Sequence, residues 1–519
     1  MCYGQYQQDE SQGVYVAAAK RKDFHSEHAG AKEWWALAVL TLAATILSID
    51  NTVLSLAIPA LSASLEPTAN QVLWIGDIYS FTLAAALLVA GNLADKYGRK
   101  RMLLIGLVTF GFFSFIAAFS TDAHVLIAMR ALLGISGAII MPSTLALIRN
   151  IFLDDAQRTK AVTVWSAAST GGMALGPLVG GFLLEHMWWG SVFLVNVPIM
   201  VITIIGSVAL LPESRMPEKK KIDLFSAFLS AIGMLLMVYA IKEYAHSGFG
   251  LAPTVSLAIG LALLVVFVMR QRGIPVPILD LQLFYSKSFS WALVVSLVSI
   301  FAFSGLFFFF SQYLQLVRGY SPLKAGYIEV VAMIFGAVAV VMVPVLTRRY
   351  GAGNSLALAL LSMSLGFAVV GINALSTDFI GFIFGLAAIG FGAGIAYPVA
   401  TDVLLSAAPP ERAGAASSIS ETAYELGTAL GIAILGSLVS FLYRVRLDVP
   451  SGLEPHEEAI EESLSSALKI LHGYPLTYDS FIHQVKESFA YGMQMTSFVA
   501  AFVLFVCSIL AFRFIGKNK

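Results

Sequence analysis

Residues 35–59 read WALAVLTLAATILSIDNTVLSLAIP, an unbroken apolar stretch with a single charged residue, Asp50. A helix of about 20 apolar residues is long enough to cross the hydrocarbon core of a bilayer. An ionised carboxylate at that depth is costly, and such residues usually mark the path of an ion, a proton or a substrate. The stretch therefore predicts a membrane-spanning helix that carries a functional acid.

The remainder of the chain has the same apolar character. Its 519 residues are 58% hydrophobic and only 12% charged, and the mean hydropathy is +0.80, whereas soluble chains have about 25% charged residues. The formal net charge is zero, so no basic field points to nucleic acid. Cys2 and Cys507 give neither a disulfide framework nor a zinc site. These observations predict an all-α polytopic membrane protein.

Fourteen segments are long enough to span a membrane. Most of the 32 Lys and Arg residues lie in loops on the side of the N-terminus, which the positive-inside rule assigns to the cytoplasm. We therefore expect a location in the cytoplasmic (inner) membrane, both termini in the cytoplasm, and residues 1–34 as a cytoplasmic leader. Arg130 falls within a span, and the cations of the outer loops are Lys242, Arg318, Lys324, Arg444, Arg446, Lys469 and Lys486. The predicted spans are 35–59, 72–92, 101–120, 123–148, 160–184, 191–211, 223–244, 252–269, 288–316, 323–346, 354–375, 379–406, 414–440 and 489–515.

One outer loop is long, from about residue 444 to 488. It is acidic, and Ile460, Leu464, Leu468 and Leu471 form an apolar stripe at helical spacing. The stripe predicts an external helical hairpin over the mouth of the helix bundle. A flexible tether is the alternative.

Span five carries a face of small residues. Gly172, Gly176 and Gly180 lie four residues apart, a spacing that lets membrane helices approach closely. Pro177 adds a kink, which is tolerated where a neighbouring helix or a water bonds the freed carbonyl. The pattern predicts a tight seam, either as packing alone or as a surface along which helices move.

A charged turn joins spans two and three, GNLADKYGRKR at 91–101. Gly91 and Gly98 allow a tight turn, Arg99 and its neighbours suit a cytoplasmic face, and Asp95 can cap a helix N-terminus. A simple positive-inside signal would explain the cations but not Gly91, Asp95 and Gly98 together.

Taken together, these motifs resemble the major facilitator superfamily. The turn at 91–101 is similar to its loop signature, RALLGISGA at 130–138 to its span-four motif, and GMALGPLVGG at 172–181, ending in Gly181, to the antiporter motif of drug exporters. IDNTV at 49–53 resembles the first-helix motif of the fourteen-helix drug:proton antiporters. WIGDIYS at 74–80 and ETAYELG at 421–427 resemble the QacA/SmvA type of multidrug efflux pump within that branch. Leu133 departs from the pattern, since Gln is common there.

The resemblance covers all but the first 32 residues and implies a major facilitator fold with 14 transmembrane helices. A six-helix bundle would occupy 35–211, two inserted helices would lie within 212–287, and a second six-helix bundle would occupy 288–519. It also implies alternating access, in which the bundles rock around a cavity near the membrane midplane.

Asp50 and Arg130 lie at similar depths in spans one and four, so they can form a pair. We expect Asp50 to carry the coupling proton and Arg130 to tune it, because alternate opening can shift the balance between desolvation and a neighbouring charge. A static buried ion pair is the alternative.

Asp77 lies in span two with Trp74 and Tyr79 nearby. A carboxylate beside aromatic faces suits a lipophilic cation, so we expect these three residues in the substrate site. Anchoring at the membrane interface is the alternative for the aromatic residues.

Glu421 and Glu425 share one face of span thirteen. Two close carboxylates in a dry site cannot both ionise cheaply, so at least one is expected to hold a proton, which suits exchange of a cation for a proton. Tyr424 beside them is a candidate substrate contact. In a solvated cytoplasmic vestibule both would instead be ordinary acids.

Glu329 in span ten departs from the family pattern. It could widen the substrate range or add a second proton site, or it could face the external mouth without a role. We expect Trp165 in the cavity wall and Asp402 at the cytoplasmic rim. Most phenylalanines of span nine are expected to contact lipid: Phe301, Phe303 and Phe307 to Phe310.

The sequence favours a secondary active transporter over an enzyme, because it has no phosphate loop and no catalytic or metal-binding motif. We expect a proton-coupled antiporter without cofactor or metal. The resemblance implies export of lipophilic, mostly cationic drugs such as quaternary ammonium compounds, dyes and biguanides. Expected partners are these small cations, protons and membrane lipid, with no nucleic acid, and the chain is expected to be a monomer. The alternatives are a major facilitator carrier of nutrients or metabolites with a narrow substrate range, and a sensor or membrane-bound enzyme that transports nothing.

Overall fold

The structure is a computed structural model that describes residues 29–214, 223–274, 277–376, 380–409, 413–471, 473 and 478–515. Most of the predicted leader lies outside these residues. The described helices are α1 Ala31–Leu65, α2 Ala69–Tyr97, α3 Arg99–Ala118, α4 Ala123–Ile151, α5 Asp155–His186, α6 Ser191–Leu194, α7 Asn196–Leu210, α8 Leu224–Ser247, α9 Leu251–Gly273, α10 Lys287–Gln312, α11 Pro322–Tyr350, α12 Ala352–Asn373, α13 Ile380–Ala407, α14 Ala413–Leu430, α15 Gly436–Val445, α16 Glu457–Glu462, α17 Leu464–Leu471 and α18 Asp479–Phe514.

Thirteen helical segments of the described chain are long and apolar enough to cross a membrane. Helix α2, whose side chains are described only in part, is also of spanning length, at 29 residues. Their positions are compatible with the fourteen predicted spans, and the all-α membrane fold is confirmed. Span six consists of α6 and α7, which meet at Val195. Wider π-helical turns follow α10 at Tyr313–Val317 and α14 at Gly431–Leu435.

The long loop contains the two short helices α16 and α17. The predicted stripe is buried, with Ile460 and Leu471 fully so. The Tyr443 hydroxyl donates to the Ile460 carbonyl at 2.9 Å, and the hairpin also reaches the connection between α1 and α2 through an ion pair between Lys469 and Glu66. The segment is therefore a packed helical hairpin. Its side of the bundle is called the hairpin end below, and the side of the 91–101 turn is called the turn end.

The glycine face of α5 packs against α1. A side chain at Gly176 would overlap the Thr52 hydroxyl, and one at Gly180 would come within 2.5 Å of Val53. Pro177 cannot donate a hydrogen bond to the carbonyl four residues before it, which belongs to Met173. The Thr52 hydroxyl donates to that carbonyl at 3.3 Å, so the freed group is bonded by the neighbouring helix.

The turn end is organised around Gly98. Its φ of +108° favours glycine, and a side chain there would also lie 2.7 Å from Glu213. The Glu213 carboxylate accepts from the backbone N–H groups of Lys100 and Arg101, at 3.2 Å each, and so caps the N-terminus of α3. Lys100 Nζ donates to two carbonyls at the end of α7, at 2.7 and 2.9 Å. Each charge therefore lies at the helix end whose dipole it complements.

The other residues predicted at this turn have different surroundings. Apart from its own helix, nothing in the described part of the chain lies within 4 Å of a side chain built at Gly91. Arg99 is buried, and Nη1 donates to the Ala146 carbonyl of α4 at 3.4 Å. The side chain of Asp95 lies outside the described residues. The cap on α3 that the structure describes comes from Glu213, which the sequence did not single out.

Candidate functional site

Two adjoining cavities lie at the centre of the bundle, with volumes of about 80 and 160 Å³. Residues of α1, α2, α5, α10, α11, α13 and α14 line them. The first reaches Glu329, and the second extends towards the turn end, past Val340 and Pro398. Both cavities share the residues Met173, Ile300, Phe303, Met333 and Tyr424. The site is therefore concave and mostly apolar, as in pockets that take small organic molecules.

The phenylalanines of α10 form part of this wall. Phe303, Phe307 and Phe308 line the first cavity, and Phe307 to Phe310 are all buried. The prediction that most of these side chains contact lipid is wrong. A run of aromatic residues covers every face of a helix, and sequence alone does not tell that neighbouring helices surround this part of α10.

Glu329 lies in the first cavity and is only 1% exposed. The Ser311 hydroxyl is a hydrogen-bond partner of its carboxylate, while Oε1 has no partner in the described part of the chain. The alternative in which Glu329 faces an open external mouth does not fit this burial. A buried carboxylate without a cation is costly, so this group is suited to receive a proton or a bound cation.

Glu421 of α14 contacts α13, Glu425 contacts α2, and neither lines the two cavities. Tyr397 donates to Glu421 Oε1 at 3.1 Å. Glu425 is 4% exposed, the Ser80 hydroxyl of α2 is its hydrogen-bond partner, and its Oε2 has none among the described residues. Glu425 thus does not lie in an open vestibule. The ring of Tyr424, which lines both cavities, lies 4.9 Å from that of Tyr397.

The structure brings Asp50 and Arg130 together. Arg130 Nη1 lies 3.1 Å from Asp50 Oδ2, and both side chains are buried. Asn196 Nδ2 donates to Asp50 Oδ1 at 2.7 Å and lies 3.1 Å from the Ser114 hydroxyl. Asn196 is the first residue of α7, next to the break in span six. Its role here was missed, although the polar Asn inside an apolar span was a usable signal.

Tyr79 belongs to this first cluster and not to the surroundings of Asp77. The Arg130 guanidinium lies over its ring at 4.8 Å from the centroid, and Arg130 Nε donates to the Ile75 carbonyl at 3.2 Å. Since α2 turns about 100° per residue, positions 77 and 79 lie on different faces. The proximity of the two residues in sequence was therefore misleading.

Asp77 and Trp74 do meet a cation, but that cation is Lys242 of α8. Lys242 Nζ lies 2.8 and 2.7 Å from the two carboxylate oxygens and 3.6 Å from the centre of the Trp74 ring. Both charged side chains are fully buried. The assignment of Lys242 to an outer loop is wrong, because its charge is neutralised inside the bundle. Neither Asp77 nor Trp74 is among the residues that line the two cavities.

Two further candidates lie away from the cavities. Trp165 of α5 is half-buried against the core, its indole nitrogen has no hydrogen-bond partner in the described chain, and it lines neither cavity. Asp402 is exposed near the end of α13 that lies at the turn end. Met173, Met333 and Phe303 were not predicted as wall residues, since apolar side chains in a span carry no signal that distinguishes cavity from core.

The arrangement separates two kinds of acid inside the bundle. Asp50 and Asp77 are each paired with a cation, whereas Glu329, Glu421 and Glu425 have hydroxyl partners and, among the described residues, no basic partner within salt-bridge distance. Uncompensated carboxylates beside aromatic and methionine side chains can bind an organic cation, or hold a proton in its place.

Comparison with known proteins gives an independent result. The family model of the Major Facilitator Superfamily matches residues 40–432. The chain is 38% identical to the multidrug efflux pump LfrA of Mycolicibacterium smegmatis, over 91% of this chain and 94% of LfrA. It is 36% identical to the methyl viologen resistance protein SmvA of Salmonella typhimurium, over 86% and 90% of the two chains.

Solved structures share the fold at low sequence identity. An inward-facing, unoccupied structure of a bacterial homologue of the human lysosomal transporter Spinster has a TM-score of 0.65 and 17% identity, covering 94% of this chain and 98% of that one. A structure of the nucleoside transporter NupG has a TM-score of 0.57 and 14% identity, with 91% and 99% coverage. The family model, the long similarity to LfrA and SmvA and the membrane helices agree, and the chain therefore belongs to the major facilitator superfamily of multi-pass membrane transporters.

Proposed function

We propose that this protein is a proton-coupled antiporter that exports lipophilic, mostly cationic compounds across the cytoplasmic membrane. Quaternary ammonium compounds, dyes and biguanides are the proposed substrates. The observation that carries the proposal is Glu329, a buried carboxylate in a mostly apolar cavity with no cation partner among the described residues. A lipophilic cation would supply both the missing charge and apolar surface for the surrounding rings and methionines. The names of LfrA and SmvA, which refer to multidrug efflux and methyl viologen resistance, support the same class.

Exchange for protons follows from competition for the same carboxylates. In the proposed cycle Glu329 in the cavity and Glu421 and Glu425 beside it are neutralised either by the substrate cation or by protons, because an ionised carboxylate without a counter-charge is costly inside the bundle. Glu425 is well placed for this task, since its partner Ser80 lies on α2 while Glu425 itself lies on α14. A change in its charge would alter the contact between these two helices.

The proposed role of Asp50 is to link protonation to the arrangement of helices. Its carboxylate joins α1 to α4 through Arg130 and to α7 through Asn196. A proton on Asp50 would remove the charge that balances Arg130 and weaken both links. The tight seam between α5 and α1, which includes Gly172, would then transmit the change, with the six-helix bundles at 35–211 and 288–519 moving against each other.

The contacts between the two proposed bundles support a state closed at the hairpin end. Gln315 Nε2 donates to the Leu56 carbonyl at 3.0 Å. A side chain at Gly181 would lie 2.8 Å from the backbone of Leu323, and one at Gly326 would overlap the Pro177 carbonyl. The proposed topology places this end outside and both termini in the cytoplasm, so the cavity would face the cytoplasm for loading. We propose a monomer that operates in contact with membrane lipid.

The test is transport by the purified chain in proteoliposomes with an imposed pH gradient. Ethidium serves as the lipophilic cation, and internal pH is recorded with a second dye. The proposal predicts ethidium movement driven by the gradient, with proton flux in the opposite direction. No ethidium movement by the wild-type chain, together with uptake of a nutrient or metabolite, would overturn it in favour of the narrow-substrate carrier.

A further inference from the structure

The inserted helix α8 is tied to α2 by a desolvated ion pair. Lys242 Nζ contacts both oxygens of Asp77, at 2.8 and 2.7 Å, and lies over the Trp74 ring. A carboxylate and an aromatic face are the elements that recognise an ammonium group. The ammonium site on α2 is therefore already filled by a residue of the chain itself.

The position of this pair matters because another face of α2 meets the first cavity and Glu425. Gly76 lines the first cavity, and the Ser80 hydroxyl, one turn further, is the hydrogen-bond partner of Glu425. Asp77 and Trp74 face α8 instead, where Val238 packs with Phe81 and with Ala429 and Ala433 of span thirteen. Helix α8 thus lies where α2 meets span thirteen.

We propose that Lys242 is the resident cation of the Asp77–Trp74 site and docks the inserted helices α8 and α9 onto α2, which positions the Gly76–Ser80 face for transport. Lys242 and Asp77 are in this sense positioning residues, and the transported cation does not bind there. A substrate would have to expel Lys242, and that would leave an ammonium buried without a partner, which is strongly unfavourable. The inference rests on the proposed function for its transport readout.

The experiment compares Asp77→Asn, Lys242→Gln, the double neutral variant, and the charge-swapped variant D77K/K242D. Arg270→Gln is the matched control, because Arg270 pairs with Asp223 on the same inserted helices and is partly exposed. Ethidium transport gives the maximal rate and apparent affinity, and equilibrium dialysis gives the Kd for ethidium. Each single variant is expected to lower the maximal rate at least about tenfold, because one buried charge loses its partner, while Kd stays unchanged.

Recovery of rate is the decisive result. The double neutral variant is expected to recover most of the loss, since it leaves no charge uncompensated. The charge-swapped variant should recover part of it, because it lacks the contact with Trp74. Weaker ethidium binding by Asp77→Asn alone, or no recovery in the double variant, would overturn the proposal and return Asp77 to the substrate site.

Amide hydrogen exchange tests the docking of α8 independently of the proposed transport function. The single variants are expected to accelerate exchange in α8, and the double neutral variant to restore protection. This result would stand even if the wild-type chain failed to move ethidium, in which case only the proposed substrate class would fall. Unchanged exchange in both single variants would refute docking whatever the transport assay showed.

Discussion

Buried acids have opposite surroundings in two regions of the molecule. On α1 and α2, Asp50 is held by Arg130 and Asn196, and Asp77 is held by Lys242. On α11 and α14, Glu329 and Glu425 each have a carboxylate oxygen with no hydrogen-bond partner among the described residues. Carboxylates inside the bundle therefore have two kinds of surroundings, charge-paired and unpaired, which sequence alone does not distinguish.

The difference has a physical meaning. Breaking a buried pair leaves a charge in a dry site at a cost of about 3–5 kcal/mol, so paired acids hold helices together until a proton or a movement intervenes. A buried polar atom without a partner already costs about 1–3 kcal/mol, more when the group is charged. A chain that retains such a cost inside a cavity has a group ready to be neutralised by something that enters. The paired acids are thus suited to holding helices in place, and the unpaired acids to binding a cation or a proton.

The largest effect is expected from Asp50→Asn, which tests the paired side of the comparison. The substitution leaves Arg130 buried without its counter-charge, so ethidium transport driven by a pH gradient should fall roughly 100-fold or more, given the cost of breaking such a pair. Asp402→Asn is the matched control, because Asp402 is exposed and should tolerate the same change. If Asp50→Asn retained gradient-driven transport with proton flux, Asp50 would be a structural residue and not a coupling site.

The next effect tests the unpaired side. Glu329→Gln keeps the size of the side chain and removes its charge, so ethidium binding measured by equilibrium dialysis should weaken by about tenfold, the equivalent of about 1.4 kcal/mol for one lost charge contact. The thermal stability of the variant should be equal or higher, because the unpartnered charge is gone. Glu425→Gln is the parallel variant. Loss of binding there, with none in Glu329→Gln, would place the cation site beside Ser80.

A smaller effect is expected at the glycine seam between α1 and α5. Gly176→Ala should lower the thermal unfolding midpoint in detergent, because its methyl group would overlap the Thr52 hydroxyl and overpacking costs about 1–3 kcal/mol. Thr52→Val should cost about 1 kcal/mol through the carbonyl of Met173 that loses its partner.

Two variants control this comparison. Gly171→Ala should have no effect, because no described residue outside its own helix lies within 4 Å of a side chain at that position. Thr52→Ala combined with Gly176→Ala should recover part of the lost stability, since it removes the group that the new methyl overlaps. A tolerant Gly176→Ala would mean that the seam is loose enough to slide without the close approach described above.

The fold could be predicted from the sequence almost in full, because apolar segments of spanning length have few alternative structures. The pair of Asp50 and Arg130 also followed from their depths along two helices. Lys242 could not be placed in the same way, because it lies close to the end of a span and a lysine there ordinarily reaches the interface. Its partner lies on another helix, and only packing reveals that contact.

The cavity wall was the least predictable part. Phe303 and Met333 look in the sequence like any lipid-facing residues, since hydropathy is the same for a side chain against lipid, core or an empty volume. Glu329 was recognised as unusual, yet its orientation could not be decided until α10 and α11 were seen to enclose it. Glu213 was overlooked because its partners are backbone groups of α3, which sequence patterns do not show.

The smallest effect is expected at the hairpin, where an ion pair similar in chemistry lies in water. Lys469 and Glu66 are both exposed, and such pairs are weak and screened by salt. The hydrogen bond from Lys469 lowers the pKa of Glu66 below its ordinary value of 4.5. The contribution of this ion pair to stability is therefore fully present above pH 4.5 and is lost as the pH falls through the lowered pKa of Glu66.

Hydrogen exchange in α17 measures this contribution. Lys469→Gln should accelerate exchange slightly at neutral pH and low salt, and the difference from wild type should vanish in high salt or once acid has protonated Glu66. Asp448→Asn is a control, because it changes one charge on the same loop outside this pair. An acceleration in Lys469→Gln as large as that expected in α8 from Lys242→Gln, and insensitive to salt, would contradict the comparison. The hairpin contact would then have to be as desolvated as the pairs inside the bundle, and burial would no longer explain why those pairs are strong and this one is weak.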